Sequence, residues 1–280
     1  MSYENFKATI WSKAIDKDLA RACVFAADTN QKYSGEITKR GDTVRLLGVG
    51  KPTITEFNNK QSIVLDGPEK VEDTSVSIDA DHVATFNYGV SDIDSAQGAD
   101  GVLSVLNEES SEQCANQIDK FIADLSKNRG VYNYKDSSSA WTVTKDNVLD
   151  IIDSALEKLY ENDVPANTLI TATVSPWFYT RFKQAYQALD TDNSEILKNG
   201  AVARYANVLI RLSNNVAKDS DGNDLIQVKT QKAIGLVKSS AHTEAYRPES
   251  SFEDAVKGFV IYGGAIVRPK EFVNIVCKKA

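Results

Sequence analysis

The sequence predicts an α+β protein of elongated shape, and three observations lead to this prediction. Residues 76–90 alternate apolar and polar side chains, which indicates an antiparallel strand with one buried face. Residues 91–128 have a mainly helical pattern, with an apolar stripe and a middle part that is polar on every side. Residues 141–190 alternate helix and strand patterns, as an α/β unit does. A strand over the whole of residues 76–90 would extend about 50 Å, a length for which a compact domain has little use.

The composition predicts a soluble globular protein that is made inside a cell. The chain has 280 residues, 42% of them hydrophobic and 25% charged, which is enough for two modest domains. We find no signal-peptide pattern and no stretch of about 20 apolar residues, so we expect no membrane span. Cys23, Cys114 and Cys277 lie far apart and are odd in number, which favours buried thiols over a disulfide framework.

The net charge of -7 argues against a protein whose main function is to bind nucleic acid. Such proteins need a basic face, because their affinity comes from neutralising phosphates and releasing counterions. The Lys278-Lys279 pair near the end of the chain is too small to supply that face.

The first 75 residues predict two extensions rather than a domain core. Residues 1–34 mix apolar anchors with charges at weak helical spacing, which indicates an arm that docks on another surface. In residues 35–75, short β-branched runs are interrupted by Gly and Pro, and an Asp-Gly-Pro turn follows at Asp66. These are the signals of a long β-hairpin.

A long helix is predicted over most of residues 91–128. Its apolar stripe contains Ile118, Phe121, Ile122 and Leu125, while its middle part is polar on every side, so we expect it to lie partly exposed along the protein. A glycine and a run of serines follow the helix, and they mark the best candidate for a domain boundary.

Beyond this boundary the sequence predicts helices and strands in alternation. Thr144 is expected to cap one helix, and Ser175 and Pro176 are expected to begin the next, with a buried strand between the two helices. Short strands around a turn at residues 218–224 follow, and the pattern then returns to strands, two of them in residues 257–269.

No catalytic or metal-binding constellation emerges from the sequence. His82 lies on the apolar face of the alternating strand, so a core histidine is the favoured interpretation. His242 has Ser239, Ser240 and Glu244 near it, but neighbours along one strand rarely form a Ser-His-acid triad. Two histidines without cysteines at metal-ligand spacing argue against a zinc site.

Two short motifs are similar to ligand-binding loops and are better explained as turns. Residues 48–53 lack the spacer and the hydroxyl residue of a phosphate-binding loop, and a strand rather than a helix follows them. Residues 219–224 open a segment without the glycine and the glutamate that a calcium loop requires. Asp146, Asp150 and Asp153 share one side of a helix and are interpreted as its hydrated face. The sequence therefore predicts no cofactor.

Four stretches occur together in an informative order. They are YSGEITKRGDTVRLLGVGKPTITEF (33–57), VSDIDSAQ (90–97), VSPWFYTRF (174–182) and EAYRPESSFEDAVKGFVIYGGAIVRP (244–269). With an arm, a hairpin, a long strand, an exposed helix and an α/β unit in this order, the chain resembles the major capsid proteins of tailed bacteriophages, the Hong Kong 97-type family. The resemblance covers nearly the whole chain, although residues 189–215 match it only loosely.

The resemblance implies a domain organisation for this chain. In this family the extended loop lies over a neighbouring subunit, and the axial domains cluster around symmetry axes. The implied parts are the N-terminal arm (1–34), the extended loop (35–75), the peripheral domain with its long spine helix (76–140 and 236–262) and the axial domain (141–235 and 263–280).

The function implied by the resemblance is structural, with no catalysis: self-assembly into the icosahedral head shell around the double-stranded DNA genome of a tailed phage. Its partners would be copies of itself in hexamers and pentamers, and also portal, scaffolding and decoration proteins. No membrane and no specific nucleic-acid sequence is implied. The location would be the virion, after synthesis in the cytoplasm of the bacterial host. The alternatives are the shell of a non-viral compartment of the same fold, a phage tail or decoration protein, and an α/β enzyme with its pocket in residues 141–235.

Two groups of residues are expected to contact neighbouring subunits. In the free subunit, charged side chains of the extended loop can keep its exposed strand edges from pairing with other chains. The segment after residue 244 combines aromatic anchors with charged edges, which suits an interface, although a loop closed by its own salt bridges is the alternative. The predicted interface residues are Lys51, Glu56 and Lys60 in the loop, and Tyr246, Arg247, Phe252, Glu253 and Asp254 in the later segment.

The charge leads to a testable expectation about DNA. Purified subunits should show no salt-dependent DNA binding, because the chain lacks the basic surface that releases counterions. Fluorescence anisotropy with a labelled duplex at about 50 and about 200 mM salt measures this. A steep fall of log affinity with log salt concentration would show that the charge argument is wrong.

Overall fold

The computed structural model of the protein describes residues 24–32, 34, 37, 39–46, 54, 56, 75–91, 102–127, 132–134, 140–188 and 204–280. The predicted arm up to Cys23, most of the predicted extended loop and residues 189–203 lie outside the described residues. The described α-helices are α1 (Val24–Ala27), α2 (Val102–Asp124), α3 (Val148–Glu161) and α4 (Pro176–Ala188). Within these ranges, no helix is long and apolar enough to cross a membrane.

The strands in the described ranges belong to three sheets. β1 and β2 form a two-stranded sheet, β3 and β10 to β12 form a four-stranded sheet, and the remaining strands form a seven-stranded sheet. The strands are β1 (Thr43–Leu46), β2 (Val76–Asp79), β3 (His82–Ser91), β4 (Tyr132–Tyr134), β5 (Trp141–Val143), β6 (Ile170–Val174), β7 (Arg204–Tyr205), β8 (Val208–Leu212), β9 (Asp224–Thr230), β10 (Ile234–Lys238), β11 (His242–Tyr246), β12 (Glu253–Ile266) and β13 (Phe272–Lys279).

The four-stranded sheet is organised around β12, which runs for 14 residues. β3 pairs with one edge of β12, while β11 and β10 pair end to end with its other edge, and all three pairings are antiparallel. α2 covers one face of this sheet, and Ile118 and Ile122 are fully buried at the contact. The predicted apolar stripe of the helix therefore faces the sheet.

The strand predicted over residues 76–90 is two strands, which corrects its length. β2 and β3 separate at Ala80 and Asp81, because β2 pairs with β1 whereas β3 pairs with β12. The alternation is present, since Ile78, Ala80 and Ala84 are buried. The opposite error occurs in residues 257–269, where the pattern predicts two strands and the structure has the single strand β12.

The seven-stranded sheet has the order β7-β8-β6-β9-β13, and β4 and β5 pair with successive parts of β13. β6 and β8 are parallel, whereas β9 is antiparallel to both of its neighbours. α3 and α4 cover one face, where Ile151, Leu159, Phe178 and Phe182 have no exposed surface. Every residue of β9 is buried, because the end of α2 and the segment after α1 lie against the other face.

The structure corrects one predicted helix start and confirms the other. α3 begins at Val148, so Thr144 does not cap it; the Thr144 amide donates instead to the Asn147 side chain in the preceding turn (2.8 Å). Pro176 is the first residue of α4, where a proline loses no helical hydrogen bond. The Ser175 carbonyl accepts from an amide in the first turn of α4 (2.9 Å).

The predicted domain bounds remain a prediction. Tyr132–Tyr134 lie in the segment assigned to the peripheral domain, and they pair with the seven-stranded sheet. Ile234–Lys238 lie at the predicted change near residue 236 and belong to the four-stranded sheet. The chain thus passes between the two larger sheets at least three times, so neither sheet is one continuous stretch of sequence.

Gly263 lies where the turn between β2 and β3 crosses β12, and the two backbones meet there. A Cβ atom at this position would lie 2.0 Å from the Asp79 carbonyl oxygen, so the backbone would have to move. We therefore expect Gly263→Ala to lower the free energy of unfolding by about 3 kcal/mol.

Gly89→Ala is the matched control for this substitution in urea unfolding. Its Cβ atom would meet only the end of the Glu253 side chain, which can turn away. If the two variants lost equal stability, the close approach at Gly263 would not be the cause.

Candidate subunit interface

The segment predicted to contact neighbouring subunits forms a hairpin turn at one end of the four-stranded sheet. β11 ends at Tyr246, β12 begins at Glu253, and residues 247–252 connect them as the β11–β12 turn. Phe252 is 84% exposed in this turn. An aromatic side chain that projects from a surface in this way is suited to anchor a protein contact.

Tyr246 does not project from the turn, because its ring is held against the sheet. Its hydroxyl donates to the Asn87 Oδ1 atom on β3 (3.1 Å). The Lys257 Nζ atom lies 4.8 Å from the centroid of the tyrosine ring. Tyr246 therefore stiffens the base of the turn.

The predicted interface charges pair locally beside the turn. The Arg247 guanidinium lies 3.9 Å from the Asp254 carboxylate, and both side chains are more than half exposed. The Ser251 hydroxyl donates to Glu253 Oε1 (2.7 Å). Because exposed ion pairs contribute at most about 1 kcal/mol, a partner surface can exchange them at little cost. The structure thus gathers all five predicted residues from Tyr246 onward at one end of the sheet.

Within the described part of the chain, the face of the four-stranded sheet opposite α2 is open next to the turn. This open face consists of two cross-strand rows, His242-Phe259-Thr85 and Glu244-Lys257-Asn87. The rows line a shallow depression of about 470 Å³. Phe259 is 38% exposed there, and Lys257 pairs with Glu244 (3.2 Å). The turn and the open face together present two exposed aromatic rings among charged side chains.

A second depression, of about 550 Å³, lies between β3 and α2. Phe86 and Tyr88 line it from the strand, and Leu106 and Gln113 line it from the helix. The groove therefore runs along α2 from Leu106 to Gln117, and the Tyr88 side chain reaches Ser110 across it. Cys114 also borders this groove, where burial raises the pKa of its thiol and so keeps it protonated.

The predicted interface residues of the extended loop are described only in part. Glu56 is exposed, as is the nearby Ile54, whose exposed fraction is 89%. Lys51 and Lys60 lie outside the described residues. An interface role for all three charged residues stays a prediction.

The residues that suggested a catalytic alternative make other contacts. The Ser239 hydroxyl donates to the Ser240 carbonyl and accepts from the Ile261 amide, each at 3.1 Å. His242 lies against Phe259 on the open face, with 5.2 Å between the ring centroids. Among the described residues, no three His, Cys, Asp or Glu side chains lie close enough together to hold a metal ion.

His82 is half exposed, which corrects its interpretation as a core histidine. Its side chain is 50% exposed and its ring lies 4.5 Å from the Phe121 ring, centroid to centroid. The Tyr262 ring stacks against it at 5.7 Å and also contacts the Phe121 ring. The alternation predicts the correct face of the strand, but His82 stands at the margin of the helix-covered area.

The end of α2 meets the seven-stranded sheet through buried amide side chains that the sequence analysis missed. Gln227 Nε2 donates to the carbonyls of Ile122 and Ala123, both at 3.1 Å. Asn274 Nδ2 donates to the Ser126 carbonyl (3.2 Å). The last carbonyls of a helix lack partners within it, so these amides satisfy them in the interior. These five residues form the α2–sheet junction.

A signal for this junction is present in the sequence. One amide residue interrupts each of two apolar strands, LIQVKT and FVNIV. A polar residue within a strand that is buried on both faces needs a hydrogen-bond partner. Periodicity does not reveal that the partner is the end of a helix about 100 residues earlier in the chain.

Comparison with solved structures finds chains of similar fold. A chain from a structure of Mycobacterium phage Che8 is 26% identical, with a TM-score of 0.75 and 90% of each chain covered. A chain of the capsid of cyanophage P-SCSP1u is 16% identical, with a TM-score of 0.66, covering 90% of this chain and 86% of that one. The virus-like particle from Pyrococcus furiosus is 12% identical, with a TM-score of 0.60, covering 96% and 99%. No protein-family model and no curated protein matches the sequence.

Proposed function

Because this chain has the Hong Kong 97-type capsid fold, we propose that it is the major capsid protein of a tailed phage. Copies of it assemble into the icosahedral head shell that encloses the double-stranded DNA genome. The observation that carries the proposal is the similarity to the Che8 structure, which extends over nine-tenths of both chains. A similarity of this extent involves the whole subunit rather than one shared module.

The architecture suits a subunit that binds several neighbours at once. In a closed symmetric assembly, a subunit that is held at one edge meets its next neighbour at high effective concentration. Each contact can therefore be weak, and wrong contacts dissociate before the shell closes. Surfaces with a few aromatic anchors and a polar rim provide contacts of this kind.

The proposed contact surface combines the β11–β12 turn with the open face. Phe252 is its anchor, because it is the most exposed apolar side chain of this surface. Burying it against a neighbour removes the largest apolar area from water. Arg247, Glu253 and Asp254 form the rim, where they exchange weak local pairs for pairs with a neighbour. The extended loop, with Lys51, Glu56 and Lys60, supplies a second proposed contact.

The proposed partners are copies of this chain in hexamers and pentamers, with portal, scaffolding and decoration proteins as further partners. Synthesis takes place in the host cytoplasm, and the mature location is the virion. The role is structural and needs neither a cofactor nor catalysis. The net charge of -7 suits a shell that is filled with DNA by a motor, because a mildly repulsive lining does not hold the genome.

Electron microscopy of the protein expressed alone, together with its sedimentation rate, tests the proposed function. We expect hollow particles of megadalton mass, because the assembly is closed by contacts between identical chains. Hollow particles that enclose a cargo enzyme would favour the non-viral compartment instead. A small oligomer at every concentration and under every assembly condition would overturn the proposal.

Phe252→Ser tests the proposed contact surface. It should raise the protein concentration required for assembly by about tenfold or more, while the circular dichroism of the subunit stays unchanged because the side chain is exposed. Phe252→Leu keeps an apolar side chain and should assemble nearly as the wild type does. Light scattering against concentration measures the difference. Assembly of Phe252→Ser at the wild-type concentration would exclude the turn from the interface.

A further inference from the structure

Three ionisable side chains are buried together where residues 24–30 meet the rest of the protein. Asp28, Asp119 and Lys229 are 5%, 3% and 0% exposed, and they come from the segment after α1, from α2 and from β9. Arg211 on β8 joins them from a partly exposed position. With two carboxylates and two cations, the cluster is neutral when all four groups are charged.

Asp119 holds the start of the segment. Its Oδ2 atom accepts from the Val24 amide (3.2 Å), and its Oδ1 atom accepts from the Phe25 amide (3.3 Å). The first amides of a helix have no partner within it, so the carboxylate supplies acceptors that α1 lacks. Burial raises the pKa of Asp119 to about 6, these amides oppose the rise, and the nearby Asp28 carboxylate adds to it.

Asp28 holds the end of the same segment. Its Oδ2 atom lies 2.9 Å from Arg211 Nε, and its backbone carbonyl accepts from Lys229 Nζ (2.5 Å). Burial raises the pKa of Asp28, whereas the charges of Arg211 and Lys229 lower it. Burial also lowers the pKa of Lys229 to about 8, and the Asp28 charge opposes that change. Each buried charge therefore depends on its partners, and the loss of one leaves another uncompensated.

Residues 24–30 also connect the two larger sheets. Phe25 and Ala26 are buried in the core between α2 and the four-stranded sheet. The Asn30 amide donates to the Ile234 carbonyl (2.9 Å), and its carbonyl accepts from the Leu236 amide (3.0 Å). Because α1 has only four residues, its own packing is small beside that of either sheet.

We propose that Asp28, Asp119, Arg211 and Lys229 form an electrostatic latch that fixes residues 24–30 to the body of the subunit. When the latch loses a charge, residues 24–30 detach from the body of the subunit, while both larger sheets stay folded. Local opening of this kind is expected where a short segment contributes a small part of a core and its ends depend on polar contacts. The latch belongs to the single chain and does not depend on the proposed function.

Hydrogen exchange followed by mass spectrometry on the full chain tests the latch, with every variant compared in the same state of assembly. In Asp28→Asn, the amides of residues 24–30 should exchange at least about tenfold faster, since Arg211 loses its carboxylate partner and buried Lys229 loses a compensating negative charge. Amides of β6, β9 and β12 should keep their wild-type rates.

Asp224→Asn is the matched control for the latch. Asp224 is also a buried carboxylate on β9, but it accepts from the Trp177 indole (2.6 Å) and forms neither a hydrogen bond nor an ion pair with the described residues 24–30. We expect residues 24–30 to exchange at the wild-type rate in this variant, so an equal acceleration there would overturn the proposal.

Arg211→Gln removes the same ion pair from a partly exposed position. If Asp28→Asn does not fold, the exchange rates of residues 24–30 in Arg211→Gln test the latch instead. Unchanged exchange of residues 24–30 in Arg211→Gln, or an equal acceleration throughout the sheets, would also overturn the latch.

Discussion

The α2–sheet junction is the contact on which the rest of the structure depends. Gln227 and Asn274 project from the inner face of the seven-stranded sheet and satisfy the carbonyls at the end of α2, whose apolar stripe packs on the four-stranded sheet. Leu225, Phe272 and Val276 surround these bonds with apolar surface. Because a buried carbonyl needs a partner in a defined direction, the junction fixes how the two larger sheets are oriented.

A fixed orientation matters for a subunit whose proposed function is to bind its own copies. The β11–β12 turn lies at one end of the four-stranded sheet, and α3 and α4 cover the outer face of the other sheet. If the sheets rotated freely against each other, the surfaces on them could not meet neighbours at constant angles, and a shell could not close. The same end of α2 also carries Asp119, so the first described segment is placed by the helix that orients the sheets.

Periodicity predicts most of the elements, because it reports which face of each element is buried. It finds the stripe on α2, the buried strand β6 and the start of α4 at Pro176. It does not find the break at Ala80, since pairing with a different strand decides that break. The surface around Phe252 follows from composition, whereas the bonds of Gln227 and Lys229 join residues that are distant in sequence, and no local pattern contains them.

Equilibrium unfolding of Gln227→Leu tests the orienting role of the junction most directly. With Trp11 replaced by Phe in every variant, tryptophan fluorescence follows Trp141 and Trp177 in the seven-stranded half, while circular dichroism follows the whole chain. We expect coincident transitions in the wild type and in Gln113→Leu, an exposed control on α2. In Gln227→Leu the two carbonyls lose their buried donor, and the transitions should separate as the halves uncouple. Coincident transitions at the wild-type midpoint in Gln227→Leu would contradict this role.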